Sequence, residues 1–313
     1  MKAIVLKAFG SVDNFAVEEI PQPTIQENEV LVQVHAVSIN PVDMKTRSGK
    51  AMAARLKDEN PIILGWDISG VVSQVGADVK DFKVGDEVFG MVNFPGSGKA
   101  YAEYVAAPAA HLALKPANIS HEEAAAATLA ALTAWQAFNT HIKIHPGNKV
   151  LIHAAGGGVG HFAVQIAKHF GTYVIGTSSA ANKDFVLSLG ADEHFDYKSK
   201  PFEEAFNDID IVLDTIGGDN IERSFEVVKK GGTVITLPSA TSEGVVEKAK
   251  AKGVNGFFFM VQSNGEDMKQ IADLLEKGAI KPYVSAVYSF DEIGKAHQQI
   301  ETGSTKGKIV IKP

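Results

Sequence analysis

The 313-residue chain contains no cysteine. This absence excludes disulfides, thiolate catalysis and metal sites built on thiolates. Sites built from histidine and carboxylate remain possible in principle, but the ten histidines are scattered along the chain. The pair at helical spacing, His141 and His145, precedes the turn signal Pro146-Gly147 and is interpreted as exposed surface. The sequence therefore predicts no metal site.

The chain also lacks a block of basic residues and an apolar run long enough to span a bilayer. Its formal net charge of −7 argues against nucleic acid or an anionic membrane as the main partner. The first residues, MKAIVLKAFG, are too short and too interrupted for a signal peptide. With 45% hydrophobic and 21% charged residues, disorder is not expected, and the length suggests two domains. A soluble cytoplasmic protein is the expectation.

A glycine cluster between an apolar run and a helical pattern is the most informative stretch. Residues 150–152 are apolar, residues 154–160 read AAGGGVG, and an apolar helical face follows from Phe162 to Phe170. Glycines let a diphosphate approach the backbone because no Cβ stands in the way. The N–H groups and the positive dipole end of the following helix favour an anion. Alone, such a cluster also fits a plain tight turn.

The strand expected after the glycine turn favours a dinucleotide site. Residues 173–175 are apolar and end in Gly176-Thr177-Ser178-Ser179, without Asp or Glu. Sites for NAD usually place an acidic side chain there, where it holds the ribose 2′-hydroxyl. Hydroxyls followed by Lys183 suit a 2′-phosphate, so NADPH fits better than NADH. The alternative is that Thr177 and Ser178 form a loop and that Lys183 is a solvated helix residue.

The first third of the chain differs in pattern from the rest. Short apolar runs with Gly-Asp turns predict a small β-barrel or sandwich up to about residue 105. The pattern changes at Ser120, which forms a capping box with Glu123, and residues 124–138 predict one buried helix or two abutting helices. Thr133 lies inside this apolar segment, so it either bonds back to the helix or faces a ligand.

Strands and helices alternate after the glycine turn. Strands are expected at residues 210–214, 233–237 and 255–260. This order predicts an α/β fold with a parallel, doubly wound sheet, whose ligands lie beyond the carboxyl ends of the strands. Four residues follow two of these ends, where a cofactor would pass: Gly217, Gly218, Pro238 and Ser239.

Four motifs, in order, resemble the medium-chain dehydrogenase/reductase superfamily. They are NPVD at 40–43, GWDISGVV at 65–72, VGDEV at 84–88 and AAGGGVG at 154–160. Within that superfamily the chain is similar to the zinc-independent quinone oxidoreductase branch, near the NADPH-dependent enone and alkenal reductases. Zinc alcohol dehydrogenases have Cys in place of Asn40, Gly-His-Glu in place of Gly65-Trp66-Asp67, and a four-cysteine lobe in place of the flexible loop 93–100. Both zinc sites are therefore expected to be absent.

The resemblance implies a GroES-like, β-rich catalytic domain, residues 1–120 and 280–313, and a Rossmann domain that binds NADPH, residues 121–279. Asn40 would be the active-site asparagine beside the nicotinamide, and Thr133 would lie near the nicotinamide amide. The other implied cofactor positions form the diphosphate turn (Gly157, Gly158, Val159, Gly160), the 2′-phosphate pocket (Ser178, Lys183, Tyr197) and a tail motif (Gly307, Lys308). The segment around Phe257 is part of the pocket, a dimer edge as in family members, or a core strand.

The expected reaction is hydride transfer from NADPH to a quinone or to the β-carbon of an α,β-unsaturated carbonyl. Without a metal, the developing oxyanion needs hydrogen-bond donors. Asn40 is the best candidate, with Lys45 or a backbone N–H in support. The proton would come from water. Tyr101 and Tyr104 are conceivable donors, although tyrosine in an apolar strand is more often part of the core.

Other functions remain open on the sequence alone. A 2-enoyl-thioester reductase would need a basic surface for the acyl carrier, which the net charge of −7 supports poorly. An NADPH-binding redox sensor or structural protein with little turnover would have a closed cleft. Alcohol dehydrogenation is disfavoured because it usually needs a Lewis acid or a tuned base. A homodimer is the expected assembly.

Overall fold

The computed structural model describes the backbone of residues 1–313 and every side chain except that of Ser239. The predicted role of the Ser239 side chain therefore lies outside the described residues. None of the helices that the described residues form has the length and apolar character that crossing a membrane would require.

Strands dominate the first third of the chain and alternate with helices in the rest. The strands are β1 (Lys2–Leu6), β2 (Phe15–Glu19), β3 (Glu29–Ile39), β4 (Asp67–Val75), β5 (Glu87–Met91), β6 (Tyr104–Pro108), β7 (Leu112–Leu114), β8 (Lys149–Ile152), β9 (Tyr173–Ser178), β10 (Glu193–Asp196), β11 (Ile209–Asp214), β12 (Val228–Thr236), β13 (Asn255–Phe258), β14 (Val284–Ser289) and β15 (Lys308–Lys312). The α-helices are α1 (Pro41–Arg47), α2 (Ala53–Leu56), α3 (His121–Ala126), α4 (Leu129–Trp135), α5 (Gly160–His169), α6 (Lys183–Ser188), α7 (Asp219–Val227), α8 (Val245–Ala251), α9 (Gly265–Glu276) and α10 (Ile293–Glu301).

The chain divides into two units. Unit 1 comprises Met1–Leu132, Gln262–Gly278 and Pro282–Pro313, and unit 2 comprises Thr133–Val261 and Ala279–Lys281. The predicted domains, 1–120 with 280–313 and 121–279, differ from these units mainly at residues 121–132 and 262–278, which lie in unit 1. The physical reason is packing, since α3 lies against β3 and β4, and α9 lies against β7.

Unit 1 is built on a mixed sheet. Its strand order is β14-β15-β3-β4-β5-β7, and β6 also pairs with β3. Strand β15, near the end of the chain, runs antiparallel to β3 with Ile309 opposite Ile39. The tail therefore returns to the sheet built by the first part of the chain, as the inclusion of residues 280–313 in the catalytic domain implied. Ala36, Ala125, Ala126 and Val310 form a small buried cluster where α3 packs on this sheet.

Unit 2 is built on a parallel sheet with the strand order β10-β9-β8-β11-β12-β13. Counted from β8, this is the 3-2-1-4-5-6 order of the Rossmann fold, so the predicted doubly wound sheet is confirmed. Strand β8 is a short apolar run because both faces of a parallel sheet are covered. Val150, Leu151 and Ile152 are accordingly all fully buried. The order reverses between β8 and β11, and in such folds ligands bind beyond the strand ends at that point.

Some local expectations differ from the structure. Residues 41–47 form helix α1, which was not predicted from the sequence. The segment predicted as one helix or two abutting helices forms two, α3 and α4, and the π-helix that follows at Gln136–His141 was not expected. The loop 93–100 is packed rather than loose, because the Trp66 indole N–H donates to the Gly96 carbonyl at 2.7 Å and Phe94 is buried.

Candidate active site and cofactor site

Asn40 lies where β3 ends and α1 begins, in unit 1. Its backbone is extended, with φ −127° and ψ 160°, and its N–H donates to Asp43 Oδ2 at 2.8 Å. Pro41 occupies the first turn of the helix, where its missing N–H has no cost and its φ suits the helix. The signal for this helix was present in the sequence as an N-cap residue, a proline and an acidic residue three positions on.

The Asn40 carboxamide is held at both ends by charged groups. Its Nδ2 donates to Asp67 Oδ2 at 2.7 Å, and Lys308 Nζ donates to its Oδ1. Lys308 Nζ also donates to the Ile39 carbonyl at 3.0 Å and lies 3.8 Å from Asp67 Oδ2. The cation on the oxygen side and the carboxylate on the nitrogen side allow one orientation of the amide. We call Asn40, Asp67 and Lys308 the amide clamp.

The amide clamp is buried, with exposed fractions of 1% for Asn40, 0% for Asp67 and 3% for Lys308. Burial raises the pKa of Asp67, and the Lys308 ammonium opposes that rise. Burial likewise lowers the pKa of Lys308, against the attraction of Asp67 and Asp43. Burial and the Asp67 carboxylate raise the pKa of Asp43 to about 7. Charges removed from water in this way are tolerated only when each has close partners.

The sequence-predicted residues of unit 1 are not all brought together. Asn40 and Lys308 are in contact, as described, and Gly307 precedes Lys308 with φ +60°, which favours glycine. Lys45 lies in the second half of α1 and is exposed. Tyr101 is fully buried, its hydroxyl lies 3.1 Å from His297 Nε2, and burial raises its pKa well above the usual value. Tyr101 is thus a core residue.

Sequence reasoning missed the partners that fix Asn40. Asp67 was noted only as part of a family motif, and Asp43 only as the end of another. Asp67 Oδ2 also accepts from the Ser38 hydroxyl at 3.2 Å, and its Oδ1 accepts from the Leu129 N–H at 3.1 Å. An acidic residue at the start of a buried strand is the signal that was available, because unpaired carboxylates are rarely fully buried.

In unit 2 the glycine turn joins β8 to α5. Ala154 takes a left-handed conformation with φ +50°, and the Gly157 N–H donates to its carbonyl at 2.9 Å. A Cβ on Gly160 would collide with that same carbonyl, so only glycine fits there. The first N–H groups of a helix have no partner within the helix, and here they follow the turn directly. The segment Gly157-Gly158-Val159-Gly160 therefore fits a diphosphate group.

The end of β9 carries hydroxyls and no carboxylate. Ser178 is the last residue of β9 and is 5% exposed. Lys183 begins α6 and is exposed, and Tyr197 follows β10 with 56% of its surface exposed. His194, which the sequence did not single out, lies on the neighbouring strand with its Nε2 2.8 Å from Ser178 Oγ. Its position follows from the strand register, which no local motif encodes.

The remaining predicted positions lie at the ends of β11 and β12. Buried Asp214 accepts hydrogen bonds from the Gly217 N–H at 3.0 Å and from the Thr236 hydroxyl at 3.0 Å, so it ties the two strand ends together. A Cβ on Gly217, at φ +82°, would collide with Thr241 and crowd Pro238. The tight packing requires glycine at this position.

Two further predicted residues lie elsewhere in unit 2. Phe257 lies on β13, with its ring centroid 6.0 Å from that of His141. Thr133 is 5% exposed within α4.

The chain matches two family models and is similar to curated proteins over its whole length. Residues 26–117 match the family model for the alcohol dehydrogenase GroES-like domain, and residues 189–311 match the model for zinc-binding dehydrogenase. The chain is 38% identical to 2-methylene-furan-3-one reductase of Solanum lycopersicum, over 100% of this chain and 79% of that protein. It is 36% identical to the NADPH-dependent alkenal/one oxidoreductase, chloroplastic, of Arabidopsis thaliana, over 100% of this chain and 80% of that protein.

Among solved structures, the quinone oxidoreductase from Coxiella burnetii superposes with a TM-score of 0.95 at 37% sequence identity. The match covers 100% of this chain and 99% of that one. Fold, motifs and relatives agree over the whole length. The chain belongs to the medium-chain dehydrogenase/reductase superfamily of oxidoreductases, in its quinone oxidoreductase branch.

Proposed function

We propose that the protein is a metal-free, NADPH-dependent oxidoreductase that transfers a hydride to a quinone or to the C=C bond of an α,β-unsaturated carbonyl. The observation that carries the proposal is the amide clamp, which fixes an uncharged hydrogen-bond donor where zinc-dependent relatives would place a metal ligand. Asn40 Nδ2 bears two hydrogens and Asp67 accepts one of them, so one is left for a ligand oxygen.

Zinc does not fit the residues around Asn40. Zinc in proteins prefers thiolate, imidazole and carboxylate ligands. Here the amide is engaged by Lys308 and Asp67, and the ammonium of Lys308 would repel a cation beside it. The described side chains include no group of three or more His, Asp or Glu residues arranged to hold a metal ion.

The cofactor assignment rests on unit 2. The glycine turn would hold the diphosphate, and Ser178, Lys183 and Tyr197 would hold the 2′-phosphate. The absence of an acidic residue at the end of β9 removes the usual partner of an NAD ribose. The name of the Arabidopsis relative, which includes NADPH dependence, supports the same choice. NADPH supplies the hydride when it is bound, and the protein supplies position and electrostatics.

The class of acceptor is inferred from the hydrogen bond that the Asn40 amide can donate. When hydride reaches the β-carbon of a conjugated carbonyl, negative charge moves to the carbonyl oxygen. A fixed donor aimed at that charge stabilises the transition state more than the ground state. We assign this donation to the free N–H of Asn40 and protonation to water; Lys45, which is exposed on α1, is not given a part. The names of the relatives, which refer to a furanone, alkenals and a quinone, support this class.

The test is steady-state turnover with NADPH and NADH on four acceptors: phenanthrenequinone, a short 2-alkenal, an enoyl thioester and a saturated aldehyde. We expect turnover with NADPH on the quinone, the alkenal or both, and none on the saturated aldehyde. Asn40→Ala should lower kcat by roughly a hundredfold to a thousandfold, as removal of an oxyanion donor does elsewhere. Asn207→Ala, an exposed site, is the control and should leave kcat unchanged.

Two other results would indicate a different function. Turnover on the thioester alone would identify an enoyl-thioester reductase, and NADPH binding without turnover would indicate a sensor or structural role. The expected cytoplasmic location and homodimer remain predictions, and the Arabidopsis relative is named as chloroplastic.

A further inference from the structure

His194 lies beside the predicted 2′-phosphate pocket and has no part in the proposed chemistry so far. It is on β10, which pairs in parallel with β9 so that His194 lies opposite Gly176. This register brings its Nε2 to 2.8 Å from Ser178 Oγ. The ring is half-buried. A titratable group therefore contacts the hydroxyl that ends β9.

The Ser178 hydroxyl has two neighbours, His194 Nε2 and the Ser179 carbonyl. A serine hydroxyl has one hydrogen, and the Ser178 Oγ–H donates to the Ser179 carbonyl at 3.1 Å. In the protonated imidazole both ring nitrogens carry hydrogen, so in that form His194 Nε2 donates to Ser178 Oγ, and the hydroxyl hydrogen is left for the Ser179 carbonyl. A phosphate oxygen arriving at Ser178 would take over the hydroxyl hydrogen, and the His194 donation would then orient the hydroxyl toward it.

The charges around His194 make its protonation responsive to an anion. Burial and the Lys183 ammonium on α6 lower the pKa of His194, against the opposing effects of Asp196 on its own strand and of the Ser179 backbone. The groups that face it at the end of β9 are uncharged, namely the Ser178 hydroxyl and the backbone of Ser179, the residue that follows the strand. A phosphate dianion bound between Ser178 and Lys183 would add two negative charges beside the ring, and opposite charge favours the protonated imidazole.

We propose that His194 is a positioning residue for the 2′-phosphate of NADPH, acting through Ser178, and that it couples NADPH binding to uptake of a proton by the imidazole. This inference rests on the proposed function, because it requires NADPH in the unit 2 site. It predicts that NADPH, but not NADH, takes up a proton on binding near neutral pH. The preference for NADPH over NADH then increases as the pH falls from neutral to below about 6.5, because the pKa of His194 without the cofactor lies below its ordinary value.

The test is calorimetric titration of the full chain with NADPH and with NADH, each in two buffers of different ionisation enthalpy. The difference between buffers gives the number of protons taken up. His194→Gln keeps a hydrogen-bond donor near Ser178 but cannot gain charge. It should lose the proton uptake and weaken NADPH affinity by up to about tenfold at the low end of that pH range. A tenfold loss corresponds to a rise of one pKa unit for His194 when NADPH binds. Its NADH affinity should match the wild type, which also shows that the variant is folded.

Lys183→Met is the matched control in the same pocket. It removes a fixed charge, so it should weaken NADPH at every pH. Proton uptake should persist because His194 remains, but it should move to higher pH because Lys183 no longer lowers the pKa of His194. Because the 2′-phosphate itself titrates near pH 6, the wild type and His194→Gln are compared at the same pH values. If NADPH is preferred but uptake is equal in wild type and His194→Gln, the role of His194 is overturned and the proposed function stands. If the wild type prefers NADH, both are overturned.

Discussion

At the scale of single residues, the amide clamp determines what Asn40 can do. Asn40 and Lys308 were each singled out by a motif, but their contact was not predictable from sequence. They are 268 positions apart and meet because β15 pairs with β3, with Ile309 opposite Ile39. A pairing over such a sequence distance leaves no local signal, because each strand alone shows only its apolar pattern.

Removing the cation of the amide clamp should be costly to stability. Lys308→Met leaves the Asp67 carboxylate buried without its ammonium partner, and breaking a buried pair in this way costs about 3–5 kcal/mol. Denaturant unfolding measures the change. We expect the midpoint to fall strongly with little change in slope.

The matched control for that variant lies on the same strand. Lys312→Met breaks the ion pair with Glu122, in which both partners are partly exposed. Exposed pairs contribute about 0–1 kcal/mol, so this change should be small. Equal losses of unfolding free energy in the two variants would show that burial does not make the Lys308 ion pair more important for stability than the exposed pair.

At the scale of elements, continuous apolar runs were the reliable signal. The expected strands at 150–152, 210–214 and 233–237 correspond to β8, β11 and β12, because strands of a covered parallel sheet are apolar on both faces. Helix α1 was missed because its seven residues are too few to show helical periodicity. Only its capping pattern, Asn40 followed by Pro41 and Asp43, indicated a helix.

The glycine turn offers a test within one element. A Cβ on Gly160 would collide with the Ala154 carbonyl, whereas a Cβ on Gly156 would meet only ordinary contacts, the nearest being Asn182 Nδ2 at 3.5 Å. Gly160→Ala should therefore lower the free energy of unfolding by about 1–3 kcal/mol, as overpacking of a filled site does. Gly156→Ala should change it by less than about 0.5 kcal/mol.

Denaturant unfolding of the two variants gives the comparison. A Gly160→Ala protein as stable as Gly156→Ala would mean that the backbone around the turn can shift to admit a side chain. The glycine at position 160 would then be explained by the close approach of a ligand to the backbone rather than by packing within the protein.

At the scale of the whole molecule, the family was predictable and the division of the chain was less so. Four spaced motifs pointed to the medium-chain dehydrogenase/reductase superfamily, and the relatives match over the full length. Residues 121–132 and 262–278 were expected with the dinucleotide-binding domain but lie in unit 1. A helix pattern reveals a buried face without revealing which sheet covers it, so the assignment of α3 and α9 needed the structure.

The central claim is hydride transfer from NADPH to a conjugated acceptor without a metal. The most direct measurement uses NADPH carrying deuterium at its hydride position, with a short 2-alkenal or phenanthrenequinone as acceptor and mass analysis of the product. We expect a saturated aldehyde with deuterium on its β-carbon, or hydroquinone formed mole for mole with the NADPH oxidised. An unsaturated alcohol with deuterium on the former carbonyl carbon, or NADPH that binds without being oxidised by either acceptor, would contradict the central claim.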